Sequence, residues 1–253
     1  MNRILSLLLT STLFVPVLAS ESVTVELEKA NNAQQKQARD EIIESGINPI
    51  FSELADSVFP FNNKLTIIYG QNDGPYYDSQ QHAVFIPYDF YLQAKAYFAK
   101  NNYEKEHGRS AQYAALDTLM HTLLHEAGHA YVADQDIAIL GKEEDAVDNF
   151  ATVLLLEYVD KGSDVAISAA DMFAYESEDK PEYYAMSEYA GEHSFDMQRY
   201  FATLCLVYGS NPEKFEYLLD EVESDYLDNR KDYCEFNYQQ ISNNWHRYLK
   251  VQE

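Results

Sequence analysis

Two histidines lie four residues apart in the segment His125-Glu126-Ala127-Gly128-His129. On an α-helix, residues at this spacing project from the same face, so both imidazoles can bind one metal ion. Glu126 is displaced by about 100° around the helix, which puts its carboxylate beside the metal without requiring it to be a ligand, so that it can accept a proton from a bound water. The pattern predicts one zinc ion per chain, which lowers the pKa of a bound water to about 7 and leaves Glu126 as the general base.

A catalytic zinc site also requires a third protein ligand. One known solution is a histidine six residues after the second histidine with a turn glycine between them, but Gln135 and Val132 occupy those positions. The other is a glutamate on the following helix with an aspartate four residues later, and Glu144 and Asp148 have this spacing. We therefore predict Glu144 as the third metal ligand and Asp148 as the group that orients a ligand histidine.

The segment Lys142-Glu143-Glu144-Asp145 allows a second interpretation, in which it is only a solvated, acidic helix start that is favourable for the helix dipole. The apolar residues that follow favour a helix that docks against the core. Glu143 and Asp145 are displaced by about 100° to either side of Glu144, whereas Asp148 shares its face. Among these acidic residues, the pattern favours Glu144 for the metal.

Several further polar residues allow more than one role. His121 lies one turn before the motif, so a polar helix face without a metal is the alternative interpretation of these histidines. His193 is predicted to be catalytic as a stabiliser of the oxyanion, a role that Tyr189 is also able to fill. Arg199 is interpreted either as a ligand for a substrate carboxylate or as a structural partner of Asp196.

The elements that must position these residues follow from hydrophobic periodicity. A helix over residues 110–132 carries the motif, and a helix over residues 143–158 carries the third ligand. Leu65–Tyr69 and Ala83–Ile86, with the turn-like segment around Tyr76, predict a small antiparallel sheet. A small sheet followed by helices is an α+β arrangement. Further helices are predicted over residues 34–45, 89–100, 196–208 and 212–219.

The N-terminal residues 1–19 are typical of a cleaved secretory signal peptide. Arg3 precedes an apolar run that ends in small residues at Ala19. The alternative is a membrane anchor, but the run is interrupted by Pro16 and is shorter than the ~20 apolar residues that span a bilayer. We expect export to the periplasm or the medium, with residues 20–253 forming a single domain.

Two cysteines, Cys205 and Cys234, are present in the whole chain. In an exported protein an even pair predicts a disulfide. The alternative is two buried free thiols. This interpretation is the better one only if residues 1–19 are not a signal peptide.

The charge balance excludes several classes of partner. Lys and Arg total 18 against 42 Asp and Glu, for a formal net charge of −24. Such a chain repels nucleic acid phosphates and anionic lipid surfaces. No segment after residue 20 is long and apolar enough to predict insertion into a membrane. We therefore expect no nucleic acid partner and no membrane insertion after signal cleavage.

Several stretches of the chain together resemble a bacterial family of HExxH metallopeptidases of uncharacterised function. They are residues 76–78, 125–130, 140–151, 192–200, 204–205 and 208–210. The resemblance implies a zincin-like fold, zinc and a glutamate as third ligand. Ala127 departs from the family pattern, in which leucine is commoner, and this position is expected to affect packing only.

The sequence as a whole predicts an exported zinc metallopeptidase that acts on a peptide or protein substrate. If the hairpin around Tyr76 borders the cleft, an extended peptide can add to its edge strand. A zinc-containing but non-catalytic envelope protein that binds peptides or protein partners is the first alternative, and Glu126 argues against it because a structural site does not need an uncoordinated carboxylate. A metal-free interaction protein is the second.

Overall fold

The computed structural model describes residues 20–179, 184–220, 222 and 224–250. The predicted signal peptide, residues 1–19, lies outside the described residues. The strands are β1 (Val23–Leu27), β2 (Leu65–Tyr69), β3 (Tyr76–Asp78) and β4 (Ala83–Ile86). The α-helices are α1 (Ala33–Glu44), α2 (Ile47–Ser57), α3 (Tyr88–Lys100), α4 (Tyr103–His107), α5 (Ala111–Asp134), α6 (Glu143–Tyr158), α7 (Gly162–Glu178), α8 (Met186–Tyr189), α9 (Asp196–Ser210), α10 (Pro212–Phe215) and α11 (Ser224–Trp245). A short 3-10 helix, Glu216–Leu219, follows α10.

The sheet is mixed, and the prediction of an antiparallel sheet is wrong. Its strand order is β1-β2-β4-β3, and β2 pairs in parallel with both β1 and β4. Strand β3 pairs antiparallel with β4 and lies at the edge of the sheet. The physical reason is that β1, which the sequence analysis did not identify, reaches β2 through α1 and α2, and such a helical crossover joins parallel strands. The α+β class is confirmed, because this small sheet is combined with many helices.

Helix α5 is the centre of the helical part of the molecule. Of its 24 residues, 17 are buried, which is typical of a helix that has neighbours on every side. Helices α3, α6 and α7 pack around it. It begins after Ser110, whose hydroxyl accepts a hydrogen bond from the Tyr113 N–H at 3.3 Å. The residues of the histidine motif are therefore held on a rigid, deeply buried element.

Helices α9 and α11 form a second layer against α6 and α7. Cys205 on α9 and Cys234 on α11 form a disulfide, as expected from the sequence. Tyr208 and Leu219 are buried beside it. None of the described helices has the combined length and apolar character that a bilayer crossing requires.

Removing the disulfide is expected to lower the free energy of unfolding. The two cysteines are 29 residues apart in sequence. In the chain-entropy model, closing a loop of that length lowers the entropy of the unfolded chain and raises the free energy of unfolding by about 3–4 kcal/mol. The double variant Cys205→Ser/Cys234→Ser should therefore lose a large part of this stability in urea denaturation. The same loss should follow when the unsubstituted protein is fully reduced. A double variant as stable as the oxidised parent would contradict the prediction.

Candidate metal centre

Helix α5 presents His125 and His129 on one face. Their ring centroids lie 5.1 Å apart, and His125 is only 4% exposed. The four-residue spacing therefore brings both rings to the same region beside α6, as helix geometry predicts.

Glu144, on the first turn of α6, reaches both imidazoles. Its Oε2 atom lies 3.2 Å from His125 Nε2 and 3.4 Å from His129 Nε2. In a tetrahedral zinc site with bonds of about 2.0–2.1 Å, neighbouring ligand atoms lie roughly 3.3 Å apart. One ligand atom from each of the three residues lies within 4.8 Å of the other two. The spacing of the donor atoms therefore fits a metal ion.

The surroundings of Glu144 also favour a cation. Its Oε2 atom is buried and makes no hydrogen bond of acceptable geometry within the described part of the chain. Burial raises the pKa of Glu144, but its contacts with His125, His129 and His193 outweigh this effect and hold the pKa well below its usual range. A buried, ionised oxygen without a hydrogen bond is costly unless a positive charge lies next to it. A metal between Glu144 and the two histidines would supply that charge.

The close approach of α6 to α5 depends on Gly128. A Cβ atom at this position would lie 2.9 Å from Val147 Cβ and 3.1 Å from Phe150 Cδ1. Both partners are fully buried, so neither has free space to move into. Gly128, inside the histidine motif, therefore allows α6 to bring Glu144 to the two imidazoles.

The variant Gly128→Ala is expected to be destabilised by about 1 kcal/mol and to bind metal more weakly. Alanine improves helix propensity by about 0.5–1 kcal/mol, but overpacking a tight core contact costs about 1–3 kcal/mol. Urea denaturation and a zinc titration measure the two effects. Gly141→Ala is the matched control, because no atom lies within 4 Å of its Cβ position. A Gly128→Ala protein more stable than its parent would show that the helices are not in tight contact.

Asp148, on α6, contacts the ring of His125. His125 Nδ1 and Asp148 Oδ1 are 2.7 Å apart, and a hydrogen bond donated by Nδ1 leaves Nε2 free to face Glu144. Arg199 donates to both carboxylate oxygens of Asp148, at 2.7 and 2.8 Å. Burial raises the pKa of Asp148, but Arg199 and His125 outweigh this and keep the carboxyl ionised. This pairing of Arg199 was not among the interpretations considered from the sequence.

The negative charges of α6 change the pKa of the motif histidines. Burial lowers the pKa of His125, but the hydrogen bond to Asp148 and the contact with Glu144 outweigh it and raise the pKa to about 9. The pKa of His129 is raised as well, because Glu144 and Glu143 outweigh its burial. The carboxylates that stabilise protons on these rings would equally stabilise a divalent cation between them.

Glu143 is a site residue that the sequence analysis missed. Its Oε1 atom lies 2.8 Å from His129 Nδ1, so it orients His129 as Asp148 orients His125. The side chain of Glu143 is 46% exposed, which agrees with its predicted position beside the core-facing side of α6. A half-exposed residue at a helix start gave no pattern that would have identified this contact.

Glu126 lies on α5 next to His125 and is not one of the three residues whose donor atoms lie together. It is 8% exposed and lines a cleft of about 850 Å³ together with His125 and His129. Burial raises its pKa, although His125 and His129 act in the opposite direction. A carboxylate with a raised pKa is a stronger proton acceptor when it is ionised.

His193 approaches the same centre from the segment before α9. Its Nε2 atom lies 2.9 Å from Glu144 Oε2, and its ring is 53% exposed. The segment is attached to α6 by two contacts: Lys142 Nζ donates to the His193 carbonyl at 3.3 Å, and Ser194 Oγ donates to Asp145 Oδ1 at 2.7 Å. The structure therefore brings His193 to the wall of the cleft.

Strand β3 also borders the cleft. Tyr76, Tyr77 and the neighbouring Pro75 and Ser79 line the cleft together with the metal centre. The strand is braced, because the Tyr77 hydroxyl lies 2.9 Å from a ring nitrogen of His82. The edge strand of the sheet therefore runs along the candidate site.

His121 and Tyr189, for which the sequence left alternative roles, lie outside the group of His125, His129 and Glu144. His121 is 2% exposed and packs edge-on against Phe173, with ring centroids 5.9 Å apart; the histidines are therefore not an exposed polar helix face. Tyr189 is exposed and packs against Phe195 at 5.3 Å. Among the described residues that line the cleft, Tyr189 does not appear.

Comparison with models of protein families finds a match. A family model described as "Putative metallopeptidase" matches residues 27–249. The match includes strands β2, β3 and β4 and every described helix that contributes to the candidate site. No curated protein and no solved structure matches the chain.

Proposed function

The chain belongs to the family described as "Putative metallopeptidase", and we propose that it is an exported, zinc-dependent peptidase. The observation that carries the proposal is the position of Glu144. Its Oε2 atom lies 3.2 Å and 3.4 Å from the Nε2 atoms of His125 and His129. Two histidines and one glutamate are the protein ligands of one type of catalytic zinc site, in which a fourth position stays open.

The residues that would hold the metal are His125, His129 and Glu144. A zinc ion there would polarise the substrate carbonyl and make a water molecule more acidic. Imidazole and carboxylate donors at tetrahedral spacing favour zinc over magnesium or calcium, which prefer larger sets of oxygen ligands.

Glu126 is proposed as the general base. Its carboxylate accepts a proton from the attacking water while the water oxygen bonds to the carbonyl carbon of the substrate. It then returns the proton to the leaving amine as the C–N bond breaks. Burial raises the pKa of Glu126, and a raised pKa makes the ionised carboxylate a stronger acceptor for the proton of the water.

His193 is proposed to stabilise the negative charge that develops on the carbonyl oxygen. Its Nε2 atom lies within 2.9 Å of a ligand carboxylate, so an N–H at this position can donate to a group held in the cleft. The exposure of the ring leaves it room to turn from Glu144 to a substrate.

The substrate is proposed to be a peptide in extended conformation. Strand β3 is the edge strand of the sheet, and it lines the cleft together with His125 and Glu126. A peptide that pairs with this edge would gain main-chain hydrogen bonds while it passes the metal. A cleft of about 850 Å³ is within the range of ligand sites.

Export is part of the proposal. The apolar run in residues 1–19 is typical of a signal peptide, and the Cys205–Cys234 disulfide is typical of an oxidising compartment. We propose that residues 20–253 form one zincin-like domain in the periplasm or the medium.

The proposal is tested on the mature chain purified without added metal. We expect one zinc ion per chain by mass spectrometry of the metal content, and cleavage of a random peptide library. Chelation should abolish the cleavage, and added zinc should restore it. Zinc without any cleavage would leave a non-catalytic zinc-containing envelope protein, and a chain with neither zinc nor cleavage would leave a metal-free interaction protein.

A further inference from the structure

Strand β4 lies between β2 and β3, and its hydrogen bonds show which of its main-chain groups face each neighbour. The carbonyl oxygens of His82, just before β4, and of Ile86, at its end, accept hydrogen bonds from the main chain of β2 and of the residue after it. Main-chain groups alternate in direction along a strand. The N–H and C=O groups of Ala83 and Phe85 therefore point the other way, to β3.

Tyr77 is the residue of β3 whose main-chain groups face outward. In the antiparallel pairing, Tyr76 lies opposite Phe85 and Asp78 lies opposite Ala83. Because Ala83 and Phe85 direct their N–H and C=O groups to β3, these two pairs are the hydrogen-bonded ones. The N–H and C=O of Tyr77, between them, therefore point away from β4 to the free edge of the sheet.

This free edge faces the cleft of the metal centre. The residues that line the cleft with His125 and Glu126 include Pro75, Tyr77 and Ser79, which alternate along the chain. Within β3, Tyr77 is therefore placed to donate one hydrogen bond to the main chain of a peptide in the cleft and to accept another. This step rests on the proposed function, because it requires a peptide in the cleft.

His82 connects the side chain of Tyr77 to the loop before β2. The Tyr77 hydroxyl lies 2.9 Å from His82 Nδ1, and His82 Nε2 lies 2.9 Å from the carbonyl oxygen of Asn63. A carbonyl oxygen only accepts, so Nε2 carries the hydrogen and Nδ1 accepts from the hydroxyl. One neutral imidazole therefore joins β3 to this loop through both of its nitrogens.

The same loop is attached to the end of the motif helix. Asp134, the last residue of α5, accepts hydrogen bonds from the Asn63 N–H at 3.0 Å and from the Asn63 side-chain amide at 2.9 Å. Its other carboxylate oxygen accepts from the Asn62 N–H at 2.6 Å. His129 lies on the same helix, about 7–8 Å away along the axis. A continuous path of hydrogen bonds therefore runs from β3 through His82 to the helix of the ligand histidines.

We propose that Tyr77 is the main-chain anchor for a peptide substrate, and that His82 is a positioning residue that fixes this anchor relative to the metal ligands on α5. Strand β3 is only three residues long, and β4 pairs with it on one side. A short edge strand without a second attachment would have to be ordered when the peptide binds, and such ordering weakens affinity. His82 supplies the second attachment before the peptide arrives.

Amide hydrogen exchange in the mature chain tests this arrangement without hydrolysis. We expect the Tyr76 N–H, which pairs with β4, to exchange roughly 10-fold more slowly than the Tyr77 N–H. The difference should shrink in His82→Phe, which keeps a ring beside Phe61 but has no nitrogen to bond Tyr77 or Asn63. His82→Gln, which keeps one acceptor and one donor, should retain most of it. Equal protection of the two amides in the unsubstituted protein would overturn the anchor, and a difference unchanged in His82→Phe would overturn the role of His82.

The kinetic result expected for His82→Phe is a KM raised roughly 5- to 10-fold, because one hydrogen bond changes an equilibrium by about 5-fold. Binding that the substrate and the transition state share affects KM and not kcat, so kcat should stay within about twofold and the zinc content should not change. A merely structural defect would lower both. A fall in zinc content, or a KM equal to that of the parent, would contradict the proposal.

The matched control is Gln80→Ala. Gln80 is an exposed residue of the same turn, and its main-chain N–H, which the substitution keeps, donates to Asp78. Its KM should equal that of the parent, whereas His82→Gln should lie closer to the parent than His82→Phe does. A rise of KM in Gln80→Ala as large as that in His82→Phe would show that any change in this turn weakens binding, and would overturn the role of His82.

A bound peptide completes the test. In the zinc-loaded Glu126→Gln protein, the library peptide that the parent cleaves fastest should slow the exchange of the Tyr77 N–H more than that of the Tyr76 N–H. Unchanged exchange at Tyr77 would overturn the anchor. An exchange pattern that depends on His82, without hydrolysis of any peptide, would refute the proposed function and leave the link between His82 and β3 standing. Hydrolysis with a KM that does not depend on His82 would do the reverse.

Discussion

Replacing Glu126 with glutamine is expected to lower peptide hydrolysis by about 100-fold or more while zinc content and stability stay unchanged. Glutamine has nearly the shape of glutamate but cannot accept a proton from water, and general base catalysis contributes about 10²–10⁴-fold to such reactions. Glu126 is not one of the three residues whose donor atoms lie together, so its substitution should not affect metal affinity. The rate of peptide cleavage and the zinc content of the same sample measure both expectations.

The matched control for this variant is Glu192→Gln. Glu192 is exposed and also lines the cleft, so the same loss of one negative charge occurs in the same cleft without removing the proposed base. Its hydrolysis should stay within a few-fold of the parent, because an exposed charge contributes little. Unchanged hydrolysis in Glu126→Gln would show that another group takes the proton. Loss of zinc in Glu126→Gln would show that the residue is a ligand.

The residues of the candidate metal centre were the most predictable part of the molecule, because the geometry of a single helix relates the members of each pair. His125 and His129 are four residues apart, and Glu144 and Asp148 have the same spacing on α6. The bounds predicted for that helix are those observed, Glu143–Tyr158. The phase of the helix then decides which acidic residue faces the histidines, and the structure places Glu144 Oε2 within 3.4 Å of both.

Contacts between elements far apart in sequence were not predictable in the same way. Arg199 reaches Asp148 across a separation of 51 residues, and no local pattern encodes that meeting. Strand β1 is five residues long and lies close to the predicted signal peptide. No local sequence pattern indicated that it pairs with β2. The exposed side chain of Glu143 gave no indication of its contact with His129. Local periodicity specifies which residues share a face, whereas the packing of the whole chain decides which faces meet.

The variant Glu144→Ala is expected to lower zinc affinity by roughly 100-fold or more. Structural zinc sites with four ligands bind with about 10–16 kcal/mol, so one ligand accounts for about 3 kcal/mol on average. Loss of Glu144 also removes one contact from each histidine, of 3.2 Å to His125 and of 3.4 Å to His129. The zinc dissociation constant, measured by competition with a chelator of known affinity, gives the result.

The neighbours of Glu144 provide graded controls for this measurement. Asp145 accepts a hydrogen bond from Ser194 and does not contact the histidines among the described contacts, so Asp145→Ala should leave zinc affinity unchanged. Glu143→Ala should weaken zinc binding by at most about 10-fold, because Glu143 orients His129 but is 46% exposed. The expected order of loss is therefore Glu144, then Glu143, then Asp145. A larger loss of zinc affinity in Glu143→Ala than in Glu144→Ala would contradict the prediction. The metal would then lie on the side of α6 that carries Glu143, and Glu144 would not be the third ligand.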